Sequence, residues 1–336
     1  MRVIQLGPFP PPHGGVQTNL VAIRDYLREK GHQAAVVHLT RHRRPEADEV
    51  YYPQTAWETA RILLREPADI LHPHIGGSLT SRLLGLCLYC TLLPGRKSVL
   101  SFHSGGFCSS PEAQAVNRNS SAARILRRLD AIIAINRQIA DFMVERCAVP
   151  PERVHLISPH VTVQAGAELP DRLEAFFAAH DPALLSVGLL EPEYELPLQI
   201  EALGTLLESH PNAGLMMIGS GSLEPDLRAR IAAVPYSDRL VLAGDVPHPV
   251  TLRAIRECSI LLRTTRYDGD ALSVREALDL GTPVIATDNG MRPPGCRLIP
   301  NPSLEPLLIA LRTALAEPPR QRIAAADRDT SNLDAV

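Results

Sequence analysis

Apolar residues in this chain fall into short runs, and between the runs they recur at helical spacing. Val3 to Leu6 is the first run. A Pro/Gly loop follows at Gly7 to Gly15, and then Val16, Leu20, Val21, Ile23 and Leu27 mark a helix that reaches Lys30. Gly31 stops it, and Ala34 to Leu39 is a second run. Strand, loop, helix, strand is the opening of a doubly wound sheet. Helices are then expected over Thr55–Arg65, Leu79–Leu93, Ala122–Leu129 and Arg137–Cys147. Strands are expected over Asp69–His72, Ser98–Phe102, Ala131–Ile135 and Val154–Ile157, with a loop at Pro73 to Ser78. Such spacing implies a parallel sheet covered on both faces.

The pattern breaks at Ser158 to Asp181, a Pro/His turn followed by a polar, Ala-rich stretch. A second α/β set then begins. Strands are expected at Leu184–Val187, Gly214–Ile218, Leu240–Ala243 and Ser259–Leu262, and helices at Pro197–Glu208, Leu223–Val234 and Val250–Glu257. Tyr267 to Thr287 reads as one unit: an acidic loop, a short helix ended by Gly281, Pro283, then an apolar strand. Arg297–Ile299 and a helix at Leu304–Ala316 complete the set. The fold class is therefore α/β, with two Rossmann-like doubly wound domains at 1–165 and 183–317, a linker at 166–182 and a loosely held polar tail at 318–336. Open sheets of this kind bind ligands at the carboxyl ends of their strands.

Composition narrows the function. Hydrophobic content of 45% and charged content of 21% are those of a soluble globular protein. A net charge of −3 provides no global field for nucleic acid. Met1 to Leu6 runs into a Pro/Gly loop, so no signal peptide is expected, and the apolar run Leu83 to Leu93 is too short to span a membrane. The six cysteines are scattered, and Cys87-x-x-Cys90 lies in an apolar run, so they read as reduced core thiols. Cytoplasmic residence fits that reading.

Three places carry candidate chemistry. Gly14-Gly15 stands between the first strand and the first helix, either as a ligand loop at a helix N-terminus or as a bare turn. It is not the Gly-x-Gly-x-x-Gly of dinucleotide binding, which disfavours an oxidoreductase. His103 ends a strand and precedes Gly105-Gly106; it can meet a sugar hydroxyl or share in proton movement, or it is satisfied by backbone. His72-x-His74 lacks a third nearby ligand for a metal. Asp268 and Glu276 flank a helix start whose Ala271, Leu272 and Ser273 amides face phosphate oxygens, with an ordinary capped helix as the equal alternative. Asp268-Gly269-Asp270 also spells a D-x-D, but late in the second half rather than after an early strand, so no metal is assigned.

These residues carry a resemblance. Asp268-Gly269-Asp270-Ala271-Leu272, Glu276-Ala277 and Gly281-Thr282-Pro283-Val284-Ile285-Ala286 resemble, in register, the Glu-Gly-Phe-Gly-Leu, Glu-Ala and Gly-x-Pro-Val-Ile-Ala of family 4 retaining glycosyltransferases (glycosyl transferases group 1) of the GT-B fold. Pro10 to Gly15, Phe102 to Gly105, Asp130 to Asn136, Gly188 to Glu193, Gly219 to Gly221 and Val241 to Asp245 are similar to further motifs of that family, in the same order.

The resemblance implies two domains across a cleft and transfer, with retention, from a nucleotide-diphosphate sugar to a hydroxyl of a saccharide or lipid-linked acceptor. Cell-surface polysaccharide or glycoconjugate assembly is the implied setting, with no cofactor and no obligatory metal. The first domain would take the acceptor and the second the donor. His103, Asp268 and Glu276 would be catalytic, with Glu276 on the ribose and Asp268 on the sugar. Gly14, Gly15, Gly188, Gly219, Arg266, Gly269, Ala271, Leu272, Ser273 and Glu276 would bind the donor.

The chain departs from the family pattern in three places. Leu189 and Tyr194 stand where an Arg and a Lys usually face the diphosphate, leaving Arg263, Arg266, Arg275 or Arg292 to replace them. Ser158-Pro159-His160-Val161 stands for an Asn-Gly-Val turn, and the crossing C-terminal helix is expected to be short or cut. Alternatives are a nucleotide-sugar-binding relative with weak or no activity and a nucleotide-sugar epimerase. Basic clusters at Arg41 to Arg44 and at Arg124, Arg127 and Arg128 raise peripheral contact with the inner membrane face, against solvated arginines.

Overall fold

The computed structural model describes residues 1–11, 14–40, 47–104, 106–159, 167–267, 271–318 and 331–336. They form two compact units. One holds residues 1–11, 15–159 and 331–336, and the other holds Gly14 and residues 167–318.

Unit 1 is built on a seven-stranded parallel sheet. Its strands are β1 (Arg2–Gly7), β2 (Gln33–His38), β3 (Val50–Tyr51), β4 (Ile70–Ile75), β5 (Lys97–Phe102), β6 (Ala131–Ala134) and β7 (Val154–Leu156). Their order is β3-β2-β1-β4-β5-β6-β7, so the winding reverses between β1 and β4. That reversal opens a crevice at the strand ends. Helix α1 (Gly15–Glu29) starts there. Two glycines let it lie close. A Cβ on Gly7 would come within 2.9 Å of Leu20 Cδ1, and one on Gly76 within 2.7 Å of Val16 Cγ2. Helix α2 (Ser81–Leu92) sends Cys87 and Cys90 into separate apolar clusters, and burial pushes both thiols up to about 12. Thiols held protonated in this way are packing groups rather than nucleophiles.

Unit 2 carries a six-stranded parallel sheet of β8 (Ala183–Val187), β9 (Gly214–Ile218), β10 (Leu240–Gly244), β11 (Ile260–Arg263), β12 (Val284–Thr287) and β13 (Arg297–Ile299). The order β10-β9-β8-β11-β12-β13 reverses between β8 and β11. Alternate residues feed two cores. Leu184, Leu215 and Ile260 join one, and Leu185, Met216 and Leu261 join the other. All six are at most 1% exposed, as a sheet covered on both faces requires. Each such side chain contributes about 2 kcal/mol of burial.

Three departures from the sequence expectation bear on how each unit packs. First, β4 continues through Pro73 to Ile75, so His72 and His74 lie inside a central strand instead of ending it. Proline normally excludes a central strand because it cannot donate to the ladder. Here the pairing to β5 holds at Leu71 and His74 and skips the two residues between. Second, the stretch expected to link the halves contains α3 (Asp171–Ala179), whose Leu173 and Phe176 are buried in the core of unit 2. Third, the tail expected to be loose ends in the short helix Ser331–Asp334. Its Leu333 is buried, and Tyr26 of α1 donates its hydroxyl hydrogen to Asp334.

Candidate active site

The carboxyl ends of β8, β9 and β10 come together in unit 2. Gly188 N–H donates to Ile218 O, and Gly219 N–H donates to Gly244 O. The turns touch backbone to backbone, so that a Cβ on Gly219 (φ +138°) would sit 1.8 Å from Gly188 O. Only glycine fits such an approach.

Two further helices aim at the same edge of the sheet. Helix α4 (His248–Glu257) follows β10, and α5 (Leu272–Asp279) follows β11. The N-cap residue of α5 is Ala271, whose methyl side chain cannot cap, and the first turn closes with Val274 N–H donating to Ala271 O. The amides of Ala271, Leu272 and Ser273 precede that bond, where a helix N-terminus favours an anion. Ala271 and Ser273 are buried. Glu276 lies one turn further on and is 4% exposed. His248 Nε2–H donates to its Oε1 at 2.6 Å. Burying a carboxylate this far requires such a donor.

Arg263, the last residue of β11, is 7% exposed. It donates to Val187 O at 2.8 Å, and its guanidinium lies over the Tyr194 ring, 4.6 Å from the centroid. A Cβ on Gly188 would fall 2.8 Å from Arg263 Nη1, which places this cation at the β8 turn. Arg292 donates to Thr287 O and to Thr265 Oγ1. Arg266 is mostly exposed and pairs with Glu195. Leu189 is 44% exposed. Ser222 donates its N–H and its hydroxyl to the carboxylate of Glu191, and these bonds hold that group below the usual carboxylate range.

In unit 1, His103 follows β5, with its N–H donated to Ile75 O at 2.7 Å. Its ring stacks on His74, and His74 stacks on His72, at centroid distances of 5.5 and 4.3 Å. Burial holds His103 down to about 4 and His72 to about 3, and it holds His74 well below the ordinary histidine range. Gly14 and Gly15 stand at the start of α1. Among the described residues no group of three or more His, Cys, Asp or Glu is placed to hold a metal ion, and no helix is long and apolar enough to cross a membrane. Asp268, Gly269 and Asp270 lie outside the described residues, as do Gly105, His160, Val161 and the basic run Arg41 to Arg44.

Two family models match the chain. Glycosyltransferase Family 4 covers residues 13–165, and Glycosyl transferases group 1 covers residues 172–294. The chain belongs to these family 4, group 1 glycosyltransferases. It is 24% identical over 249 residues to alpha-D-kanosaminyltransferase of Streptomyces kanamyceticus, covering 68% of this chain and 62% of that protein. It is 25% identical over 181 residues to a lipopolysaccharide core biosynthesis mannosyltransferase of Rhizobium meliloti, covering 49% of this chain and 47% of that protein. The chain thus spans less than two thirds of the length of these curated relatives. Among solved structures it resembles Anabaena HepE in complex with UDP-glucose, with a TM-score of 0.68 at 14% identity, covering 94% of this chain and 90% of that one. The two parallel-sheet α/β domains are those of the GT-B glycosyltransferases.

Set against this glycosyltransferase fold, the sequence-derived residues divide. Gly188, Gly219, Ala271, Leu272, Ser273 and Glu276 gather at one edge of the unit 2 sheet. In unit 1, Gly15 opens α1 and His103 follows the end of β5. Arg266 turns to Glu195. Sequence reasoning missed His248 and the placement of Arg263 against Tyr194. A polar residue opening the helix after β10 was the available signal for His248. Nothing in the sequence places an arginine tip 69 residues away on Tyr194.

Proposed function

We propose that this glycosyltransferase moves a sugar, with retention, from a nucleotide-diphosphate sugar to a hydroxyl of a saccharide or lipid-linked acceptor, in cell-surface polysaccharide or glycoconjugate assembly. The observation that carries the reading is Glu276: a buried carboxylate one turn inside a helix whose N-cap residue is Ala271, with one oxygen held by His248. Its other oxygen can accept ribose hydroxyls while the helix amides take phosphate oxygens. The catalytic set is His103, Asp268 and Glu276, and no metal or cofactor is assigned. Similarity to proteins named as glycosyltransferases, and to a fold seen with UDP-glucose, supports it. The test is a thermal-shift screen of nucleoside diphosphates and their sugars on wild type and on Glu276→Ala, followed by hydrolysis and transfer assays. Equal binding by the variant overturns the assignment of Glu276.

A second reading is a nucleotide-sugar binder with little turnover. It is favoured by Leu189 and Tyr194, which supply no charge to a departing diphosphate. Arg263 answers it. Its guanidinium stands at the β8 turn, beside the position of the missing cations. Binding without turnover on any acceptor would favour this second reading.

Peripheral membrane contact is proposed as well, with the helix Ala56–Arg65 as a candidate surface beside the basic clusters, of which Arg41 to Arg44 lie outside the described residues. Arg124 and Arg127 donate to backbone carbonyls of Asn119, Arg118 and Cys147. Trp57 and Leu64, 74% and 63% exposed, share a face with Arg61 at helical spacing. Flotation with anionic liposomes that is unchanged in Trp57→Ser with Leu64→Ser removes this contact.

A further inference from the structure

A buried polar chain in unit 1 ends at His103, and its far end has only one possible polarity. Gln5, on β1, is fully buried, and its Nε2 donates to Leu20 O at 3.2 Å. Its Oε1 is thereby the atom turned towards His74, 3.0 Å from Nε2 of that ring. An amide oxygen can only accept, so His74 Nε2 carries the hydrogen. A neutral imidazole has one N–H, which leaves His74 Nδ1 as a lone pair. His74 Nδ1 lies 3.2 Å from His103 Nε2, so His103 Nε2 carries the hydrogen in turn. The one ring nitrogen of His103 left over is Nδ1, and it is an acceptor.

We infer that Gln5 and His74 are positioning residues that lock His103 in its Nε2–H form, so that His103 Nδ1 accepts a hydrogen bond from a hydroxyl of the bound sugar or of its acceptor. The ring stack supports the lock. His74 lies at 20° to His103 and at 29° to His72, and His72 Nε2 is engaged by Ser101 Oγ at 2.8 Å. Burial keeps all three rings neutral at pH 7, as the counting of hydrogens requires. A histidine fixed in this way discriminates. It favours a ligand that offers an O–H and leaves an unsatisfied acceptor against one that offers only oxygen lone pairs. The identity of the ligand rests on the sugar-transfer reading, whereas the tautomer does not.

The experiment is long-range proton–nitrogen NMR on wild-type protein labelled with nitrogen-15 histidine, at pH 7.5. His74 and His103 are expected in the Nε2–H form. A His103 signal from the Nδ1–H form overturns the inference. Gln5→Met, which keeps the bulk but removes the acceptor, is expected to release His74 into a mixture of forms, with His103 following. A Gln5→Met spectrum with both rings unchanged also overturns it. A functional arm uses UDP-glucose as probe. Its hydrolysis is expected to fall about tenfold in Gln5→Met while the thermal shift given by UDP is unchanged. Unchanged hydrolysis overturns the hydroxyl role. If wild type responds to no nucleotide sugar, the sugar-transfer reading fails and the tautomer spectrum still decides the lock.

Discussion

His248 Nε2 stands 2.6 Å from Glu276 Oε1, joining the first residue of α4 to the middle of α5. The pair leaves one carboxylate oxygen for a ligand and gives the buried charge a donor. Glu276→Ala is expected to weaken nucleoside diphosphate binding by about 10- to 100-fold, the worth of one hydrogen bond to a charged group. His248→Ala strips the carboxylate of its donor and is expected to cost about 3 kcal/mol of stability. His248→Gln, which keeps a donor near the same place, is expected to recover much of it. Calorimetric titration and urea unfolding of the three variants check both halves.

Arg263 is expected to carry the charge that Leu189 and Tyr194 do not. Arg263→Met is predicted to lower the turnover number for transfer by about 10²- to 10³-fold, the range seen when one preorganised donor to a developing anion is removed. Tyr194→Phe is expected to change turnover little. The ring face that supports the guanidinium remains, and the Tyr194 hydroxyl sits at 3.4 Å from Arg263 Nη2. Steady-state kinetics on both variants decides the matter. Comparable losses would assign the effect to Tyr194, and no loss in Arg263→Met would place the cation elsewhere.

How far the sequence reached follows from the kind of signal each feature leaves. The parallel sheets were legible because strands buried on both faces read as short unbroken apolar runs, as at Leu184 to Val187. The helix start at Leu272 was legible from its acidic loop and its Gly281 stop. β4 was cut short because Pro73 gives the local signal of a strand end, and only the neighbouring ladders override it. The helix Asp171–Ala179 was hidden by an Ala-rich, polar composition, and what makes it structural is the tertiary burial of Leu173 and Phe176. The pairs Glu276–His248 and Arg263–Tyr194, and the chain from Gln5 to His103, join residues far apart in sequence. No periodicity encodes such meetings.

Gly219→Ala is expected to destabilise unit 2 by about 3 kcal/mol or more, because its Cβ would meet Gly188 O, a backbone atom that cannot turn aside. The φ of +138° adds strain for any residue with a side chain. Gly77→Ala is the control. Nothing lies within 4 Å of its added Cβ, and its stability is expected to stay within about 0.5 kcal/mol of wild type. Thermal and urea unfolding of the two variants side by side gives the answer. Equal losses would show that the contact between the turns does not constrain the fold.

The histidine stack predicts how unit 1 responds to acid. His72, His74 and His103 are all held below the ordinary value of 6.5 by burial, with His72 at about 3 and His103 at about 4. Below pH 6.5 the unfolded chain takes up protons that the folded chain refuses, so stability falls as pH falls. For each ring the loss starts near 6.5 and ends only at the folded value, and above 6.5 its contribution is fully present. The slope is roughly 1 kcal/mol per pH unit for each ring. Carboxylates held low by hydrogen bonds, such as Glu191, lose their contribution only at lower pH, so the window from 6.5 to 5 isolates the histidines. Urea unfolding at pH 7.5, 6.5 and 5.5 is expected to show a steepening loss across that window. His72→Gln, whose amide can still meet Ser101, is expected to remove about a third of the slope. A flat profile in wild type would mean that the stack is protonated without cost, and that the rings are open to water.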